Sequence, residues 1–347
     1  MRILMRADLN ANIGQGHVMR LLSLADAFVS DPENDCAFVI ASDTAPEPIE
    51  SRGYQVFHLS SGYTEMEKEI GELKDICESF QPDWLFVDSY YVTENYLNSL
   101  RKLCKTVYLD DVYAFAYPVD ILVNYNVYAN EAEYKKLYSE SGTDLPKLLL
   151  GPSYAPLRKE FGNPPKGEVN DKVKRIAVSF GGADPMHMAY AFLKSLYAGN
   201  SSVKNAEIHM ILGVMEPDLE RIKELASEKE NLILHINTKE MKDILQRCDL
   251  AISAAGSTQY EICACRVPCV NFSMADNQLP GGEEFGRRGI MEYVGDVRNN
   301  PDFYENLIAC CERLSNDYER RVRMVEAECA LVDGLGAKRL AGEFIAG

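Results

Sequence analysis

A histidine directly behind two glycines is the clearest chemical signal in this chain of 347 residues. Gly14, Gly16 and His17 follow the apolar run Ile3-Leu4-Met5 and precede helical periodicity from residue 18 to 28. They therefore lie in a strand-to-helix turn, where glycines admit a ligand close to the backbone and the helix N-terminus favours an anion. The helix dipole disfavours imidazolium, so His17 is predicted to be a neutral base beside a phosphorylated substrate.

A second strand-to-helix turn carries hydroxyl groups. Gly256, Ser257 and Thr258 follow a predicted strand and open a helix, where backbone N–H groups and two hydroxyls could cradle a diphosphate. A structural alternative is equally open, because Thr258 to Glu261 also fits a capping box in which Glu261 bonds back to the threonine backbone.

A third junction of this kind contains Gly181 and Gly182, followed by Asp184 and Pro185. Asp184 suits an N-cap and Pro185 a first helical position. Because an aspartate on the cap would repel a phosphate, the diphosphate is assigned to residues 256–258. The two glycines are then expected only to let the backbone approach the ligand.

Other polar groups also follow predicted strands. Asn277 and Gln278 offer carboxamides to sugar hydroxyl or acetamido groups, with a helix cap as the alternative. Tyr90 is expected near the ligand because it follows the carboxyl end of a strand. Asp110 and Asp111 could bind a metal, but turn and cap roles are favoured because no further acidic ligand is evident nearby.

These turns need a scaffold, and short apolar runs between amphipathic stretches predict parallel sheets covered on both faces. Gly- and Pro-rich residues between 151 and 174 interrupt this alternation and indicate a linker. The predicted fold class is α/β, with two Rossmann-like doubly wound domains facing across a cleft. The boundaries are residues 1–152, a linker at 153–173, and residues 174–347 with a helical end. Ligands are expected at the carboxyl ends of the strands.

Composition narrows the classes of function. The net charge of −17 argues against a nucleic-acid or anionic-membrane surface. No apolar run approaches the roughly 18 residues that span a bilayer, and the start of the chain predicts a strand in place of a signal peptide, so a cytoplasmic location is expected. The ten cysteines are interpreted as reduced, buried hydrophobes. Cys263, Cys265 and Cys269 lack a fourth ligand, so no metal is predicted.

Several of these segments together resemble one family. The chain is similar to the UDP-sugar hydrolases of pseudaminic acid biosynthesis, the PseG or SpsG type, in segments spread in order over nearly its whole length. They are residues 6–8, 13–20, 109–111, 122–129, 151–158, 179–182, 255–261, 277–278 and 333–334.

The resemblance implies a GT-B-like fold, related to that of MurG-type glycosyltransferases. It implies hydrolysis of UDP-2,4-diacetamido-2,4,6-trideoxy-β-L-altropyranose to UDP and the free sugar, without a metal or cofactor. His17 would then act on the water that attacks the anomeric carbon. The resemblance assigns sugar contacts to Tyr90 and Asn277, the ribose contact to Glu261, and diphosphate contacts to Ser257 and Thr258. Three alternatives stay open, namely a UDP-sugar glycosyltransferase, a non-catalytic UDP-sugar-binding protein and an epimerase-like enzyme.

Overall fold

A computed structural model describes residues 1–10, 14–165, 167–182, 184–213 and 215–345. Ile13, which begins one of the matched segments, lies outside the described residues. The chain divides into two compact units, Met1–Lys159 with Leu335–Gly347, and Glu160–Gly334. The predicted linker at residues 153–173 therefore contains the position where the first unit gives way to the second.

The first unit is built on a parallel sheet of seven strands in the order β3-β2-β1-β4-β5-β6-β7. Its central strands are buried along most of their length, as expected when helices cover both faces of a parallel sheet. The strands are β1 (Arg2–Ala7), β2 (Asp35–Ile40), β3 (Gln55–His58), β4 (Trp84–Asp88), β5 (Lys105–Leu109), β6 (Ile121–Asn124) and β7 (Lys147–Leu150). The intervening helices are α1 (Gly16–Phe28), α2 (Glu47–Glu50), α3 (Ile70–Phe80), α4 (Glu94–Leu100) and α5 (Glu131–Ser141).

The second unit contains a parallel sheet of six strands in the order β10-β9-β8-β11-β12-β13. The strands are β8 (Arg175–Ser179), β9 (Glu207–Leu212), β10 (Leu232–Ile236), β11 (Leu250–Ala254), β12 (Cys269–Ser273) and β13 (Glu292–Asp296). The helices are α6 (Met188–Ala198), α7 (Leu219–Glu228), α8 (Met241–Arg247), α9 (Thr258–Cys265), α10 (Leu279–Arg287), α11 (Phe303–Asn316) and α12 (Tyr318–Leu331). The predicted α/β class with two doubly wound parallel sheets is confirmed.

The last helix, α13 (Gly336–Ile345), belongs to the first unit. Its Phe344 ring lies 5.0 Å from the rings of Trp84 and Phe86 and 5.8 Å from that of Phe28. The sequence placed these residues in the C-terminal domain, but the apolar face of α13 instead completes the core over the first sheet. Proximity along the chain therefore misassigned this helix.

Each sheet has one point at which the strand order reverses direction. In the first unit β1 and β4 are neighbours, and Ala7 pairs with Asp88 at their carboxyl ends. In the second unit β8 and β11 occupy the equivalent position. Ligands of open α/β sheets bind outside the carboxyl ends of the strands at such a switch point.

Among the described residues, no helix is long and apolar enough to cross a membrane.

Candidate functional site

His17 lies at the switch point of the first sheet, as the second residue of α1. The residue is only 5% exposed. Its Nδ1 lies 2.5 Å from Oδ1 of Asp88, the last residue of β4. The ring of Tyr90 meets it edge-on, with the ring centres 4.7 Å apart.

The contact with Asp88 selects the tautomer of His17. A carboxylate oxygen at 2.5 Å can only accept a hydrogen bond, so Nδ1 carries the proton that is donated to Asp88. A guanidinium nitrogen of Arg20 is also near Nδ1, but at the longer distance of 3.2 Å. Both contacts use Nδ1, and no described residue pairs with Nε2. Nε2 is therefore the nitrogen that can accept a proton.

Arg20 joins two carboxylates beside the histidine. It lies one turn after His17 on α1 and donates two hydrogen bonds to Asp88. A third donor nitrogen lies 3.4 Å from Oδ2 of Asp111 and 3.0 Å from the hydroxyl of Tyr125. The Arg20 side chain is 11% exposed, so these charges interact with little screening from water. The cluster holds both Asp88 and Asp111 in fixed positions.

The charges in this cluster stabilise one another. Burial opposes ionisation of Asp88, but the charge of Arg20 and the contact with His17 outweigh it and hold the pKa of Asp88 well below its usual range. Burial likewise opposes the charge on Arg20, yet Asp88 raises the pKa of Arg20 above its ordinary value. Asp88 is thus an anion, and Arg20 a cation, throughout the physiological pH range.

The two glycines before His17 have different roles. Gly14 has a φ of 71°, a conformation that favours glycine, and its N–H donates to the carbonyl of Asn10 at 2.9 Å. Gly16 is the first residue of α1, and a methyl group added there would meet no atom within 4 Å. The backbone at Gly16 is therefore open to close approach, as the sequence predicted for a ligand-binding turn.

In the second unit, the turn at residues 256–258 follows β11 at the switch point of that sheet. Thr258 is the first residue of α9, and Ser257 precedes it without a side-chain capping hydrogen bond. Thr258 is therefore not at the N-cap position that the capping-box alternative gave it. A methyl group added at Gly256 would meet no atom within 4 Å. Glu261 lies in the first turn of α9 and is partly exposed.

At the junction after β8 the N-cap residue is His187, not Asp184 as predicted, but the Asp184 side chain still accepts from the start of the helix. Both carboxylate oxygens of Asp184 accept backbone hydrogen bonds, from Met188 at 3.0 Å and Ala189 at 2.7 Å. The helix begins at Met188, so Pro185 does not occupy its first position as the sequence suggested. Gly181 has a φ of 97°. A carboxylate therefore lies at the start of this helix, where it would repel a diphosphate.

The carboxamides follow β12, the next strand of the same sheet. Asn277 and Gln278 lie in a short 3-10 helix that leads into α10. Oε1 of Gln278 accepts the N–H of Met274 at 3.0 Å, so part of this side chain shapes the loop. The predicted substrate contacts at 181–182, 256–261 and 277–278 thus share one edge of the second sheet, because β8, β11 and β12 are adjacent and parallel.

The two neighbouring aspartates after β5, Asp110 and Asp111, have different hydrogen-bond partners. Asp110 accepts from the hydroxyls of Tyr117 and Tyr134 and from backbone N–H groups, so its predicted turn role is confirmed. Asp111 instead contacts Arg20 and accepts from the hydroxyl of Tyr90 at 3.0 Å. In the described part of the chain, no group of three or more His, Cys, Asp or Glu residues is arranged to hold a metal ion.

The cysteines behave mainly as core residues. All ten are free, and eight of them are buried, including Cys263, Cys265 and Cys269.

A cavity of about 410 Å³ in the second unit is lined in part by Cys248 and Cys265. It also contacts Asp249, which precedes β11, so it lies at the opposite end of the strands from the predicted substrate contacts.

Sequence reasoning missed the two residues that organise His17. Arg20 follows His17 by three positions, so both share one face of a helix. Asp88 ends a strand that was predicted, but the pairing of β4 with β1 could not be deduced from composition. The available signal was a charged residue at the carboxyl end of an otherwise apolar strand, which is unfavourable unless it has a partner.

Comparison with known proteins gives distant but consistent relatives, although no family model matches the chain. The UDP-2,4-diacetamido-2,4,6-trideoxy-β-L-altropyranose hydrolase of Campylobacter jejuni is 26% identical over 263 residues, which cover 75% of this chain and 87% of the relative. The spore coat polysaccharide biosynthesis protein SpsG of Bacillus subtilis is 25% identical over 56% of this chain and 54% of the relative. The predicted resemblance to the PseG/SpsG type is confirmed.

A third relative, an uncharacterised protein of Methanocaldococcus jannaschii, is 27% identical over 78% of this chain and 55% of its own length. The chain thus spans about half the length of two of the curated relatives that it matches. Among solved structures, MurG of Acinetobacter baumannii superposes with a TM-score of 0.69 at 11% identity, covering 100% of this chain and 99% of MurG. UDP-GlcNAc 2-epimerase of Neisseria meningitidis gives a TM-score of 0.66 at 12% identity, with 100% of both chains covered. These matches establish the GT-B-like fold.

Proposed function

We propose that this protein hydrolyses a UDP-linked diacetamido-trideoxyhexose, releasing UDP and the free sugar for nonulosonic acid biosynthesis of the pseudaminic acid type. The observation that carries the proposal is the hydrogen bond from Nδ1 of His17 to Asp88, which leaves Nε2 as the proton acceptor. The similarity to a hydrolase with that substrate in its name supports the choice of reaction. The similarity to SpsG supports a role in polysaccharide biosynthesis.

In this proposal Nε2 of His17 takes a proton from water as the oxygen attacks the anomeric carbon. The imidazolium that forms is stabilised by Asp88, whose carboxylate is already in contact with the ring and needs no reorganisation. Positioned base catalysis of this kind typically contributes about 100- to 10,000-fold in rate. Breaking the bond from the anomeric carbon to the phosphate oxygen leaves the electron pair on UDP.

The second unit would bind the UDP. Gly256, Ser257 and Thr258 lie at a switch point, with the hydroxyls of Ser257 and Thr258 unpaired among the described residues. Their hydroxyl and backbone N–H donors are suited to the charge that develops on the departing diphosphate. Glu261 would accept from the ribose hydroxyls, and Asn277 would contact the sugar. Neither assignment requires a metal ion or a cofactor.

The experiment is to supply UDP-2,4-diacetamido-2,4,6-trideoxy-β-L-altropyranose in water without an acceptor and to follow the anomeric proton by NMR. The wild-type protein should release UDP and the free sugar. His17→Asn should lower kcat by about 100-fold or more, while UDP affinity measured by calorimetry stays within about twofold. His58→Asn is the matched control, because His58 is an exposed histidine at the end of β3.

Other outcomes would replace the proposal. UDP release that depends on an added acceptor would identify a glycosyltransferase, and a product changed at another carbon would identify an epimerase-like reaction. Tight binding of the UDP-sugar without turnover would identify a binding protein. Unchanged kcat in a folded His17→Asn variant would remove the base from position 17.

A further inference from the structure

Only one of the two carboxylate oxygens of Asp111 has hydrogen-bond donors among the described residues. Its Oδ2 accepts from the hydroxyl of Tyr90 at 3.0 Å and lies 3.4 Å from Arg20. Among the described residues, no group donates to Oδ1 of Asp111. The neighbouring Asp110 provides the contrast, because both of its oxygens accept hydrogen bonds from residues of its own turn and core.

The position of Asp111 is fixed from two sides. Its backbone carbonyl accepts from the hydroxyl of Tyr128 at 2.8 Å, and its Oδ2 is held by Tyr90 and Arg20. The side chain is only 13% exposed. A surface aspartate would rotate freely in water, whereas this one presents a single oxygen in a defined direction. Such preorganisation is typical of a group that contacts a ligand.

The charge around Asp111 restricts which part of a ligand can lie there. The cluster contains two carboxylates, Asp88 and Asp111, and one guanidinium, Arg20, with Tyr90 and Tyr125 as neutral neighbours. One negative charge is therefore in excess. A phosphate oxygen would be repelled, while an uncharged group with N–H or O–H donors would find an acceptor. A pyranose with hydroxyl or acetamido substituents has this chemistry.

We propose that Asp111 is a specificity-determining residue that contacts the sugar, accepting a hydrogen bond at Oδ1 from an amide N–H or a hydroxyl of the uncharged pyranose. Tyr90 and Arg20 both orient the carboxylate through Oδ2. The inference rests on the proposed function for the identity of the sugar. It adds an acceptor to the sugar contact expected from Tyr90, which belongs to the same unit.

The test is Asp111→Asn, measured by calorimetry with two probes, UDP-2,4-diacetamido-2,4,6-trideoxy-β-L-altropyranose and UDP. The donors of Tyr90 and Arg20 select the amide oxygen for their side, so the amide NH₂ replaces Oδ1 and faces the sugar donor. The Kd for the UDP-sugar should rise about 10- to 100-fold, as expected when a hydrogen bond to a charged acceptor is lost. The Kd for UDP should change less than twofold.

Asp26→Asn is the matched control. Asp26 also accepts from a tyrosine hydroxyl, Tyr54 at 2.6 Å, and pairs with an arginine, Arg52 at 2.5 Å, but it belongs to the last turn of α1. This variant should bind both probes as the wild-type protein does. Thermal melting of both variants checks that they are folded.

The failure of this inference differs from the failure of the proposed function. If the wild-type protein hydrolyses the UDP-sugar and Asp111→Asn leaves both its Kd and its KM unchanged, Asp111 is not a sugar contact. If Asp111→Asn weakens UDP and the UDP-sugar equally, the residue affects the nucleotide or the fold, and the inference is also overturned. If the wild-type protein binds the UDP-sugar through Asp111 without hydrolysing it, the inference stands and the hydrolase proposal fails.

Discussion

Replacing Asp88 by Asn is the sharpest single perturbation of the candidate site. The carboxylate is fully buried, lies 2.5 Å from Nδ1 of His17 and accepts two hydrogen bonds from Arg20. Asn has nearly the same shape but no charge. Because Arg20 donates to both oxygens of Asp88, the amide loses one of these bonds in either orientation, so its NH₂ group can face Nδ1 and select the opposite tautomer. Nε2 would then carry a proton and could no longer accept one from water.

The size of the effect follows from the contacts that are lost. A hydrogen bond to a charged group contributes about 1.5–3 kcal/mol, and here it strengthens as imidazolium forms. The loss predicts a kcat lower by roughly 10- to 150-fold, since about 1.4 kcal/mol corresponds to a factor of ten. KM should change little, because the bond strengthens in the transition state. Stability should also fall, because Asp111, at the longer distance of 3.4 Å, becomes the carboxylate that balances the charge of Arg20.

The assay is steady-state UDP release by the folded variant, with Asp26→Asn as the control and thermal melting to confirm folding. The ¹⁵N chemical shifts of the His17 ring report the tautomer directly. Nδ1 should be the protonated nitrogen in the wild-type protein, and Nε2 should be the protonated nitrogen in the variant. A folded Asp88→Asn protein with kcat within threefold of the wild-type value and an unchanged ring spectrum would refute the reasoning.

Three further predictions concern other parts of the molecule. Changing Ser257 and Thr258 together to Ala should weaken UDP binding by about tenfold, from two hydroxyl hydrogen bonds of about 0.5–1.5 kcal/mol each; unchanged calorimetric affinity would place the diphosphate elsewhere. Phe344→Ala should destabilise the first unit by about 3–5 kcal/mol in urea unfolding, whereas a loss below 1 kcal/mol would mean that α13 is not part of that core. Glu328 is fully buried, and burial raises the pKa of its carboxyl group well above the usual value. The folded protein therefore favours the protonated form, and this stabilisation is present at low pH and is lost as the pH rises above 4.5. Glu328→Gln should therefore remove a decline of up to about 1.4 kcal/mol per pH unit; parallel stability curves for the two proteins would contradict this.

Much of the fold could be predicted because strand and helix periods differ clearly in this chain. The helical periodicity from residue 18 to 28 corresponds to α1, Gly16–Phe28, and the apolar run Ile3-Leu4-Met5 lies within β1, Arg2–Ala7. The strand β7 is harder to predict, because Lys147–Leu150 is short and directly precedes the Gly- and Pro-rich stretch. The strand β13, Glu292–Asp296, is harder to predict because it is only partly buried and carries a glycine, and its pairing with β12 is irregular.

The candidate site was predictable only in part, for a physical reason. The Gly-Gln-Gly-His motif is local in sequence, so its position at a strand-to-helix turn could be inferred directly. The partner of His17 is not local, since Asp88 lies 71 residues further along the chain and reaches Nδ1 only because β4 pairs with β1. From the sequence, only the electric field of the α1 dipole could be considered at the His17 ring. The structure adds two opposite charges beside the ring, the carboxylate of Asp88 and the guanidinium of Arg20.

The return of the last helix to the first sheet has a consequence for biosynthesis. Residues 336–345 leave the ribosome after the whole of the second unit has been made, so the apolar face that α13 covers stays uncovered until then. Domains usually fold as units in the order of their synthesis. Here the earlier-made unit cannot complete its core until the later-made one has emerged, so a nascent chain that stalls within α12 would expose Phe28, Trp84 and Phe86 to self-association or to chaperones.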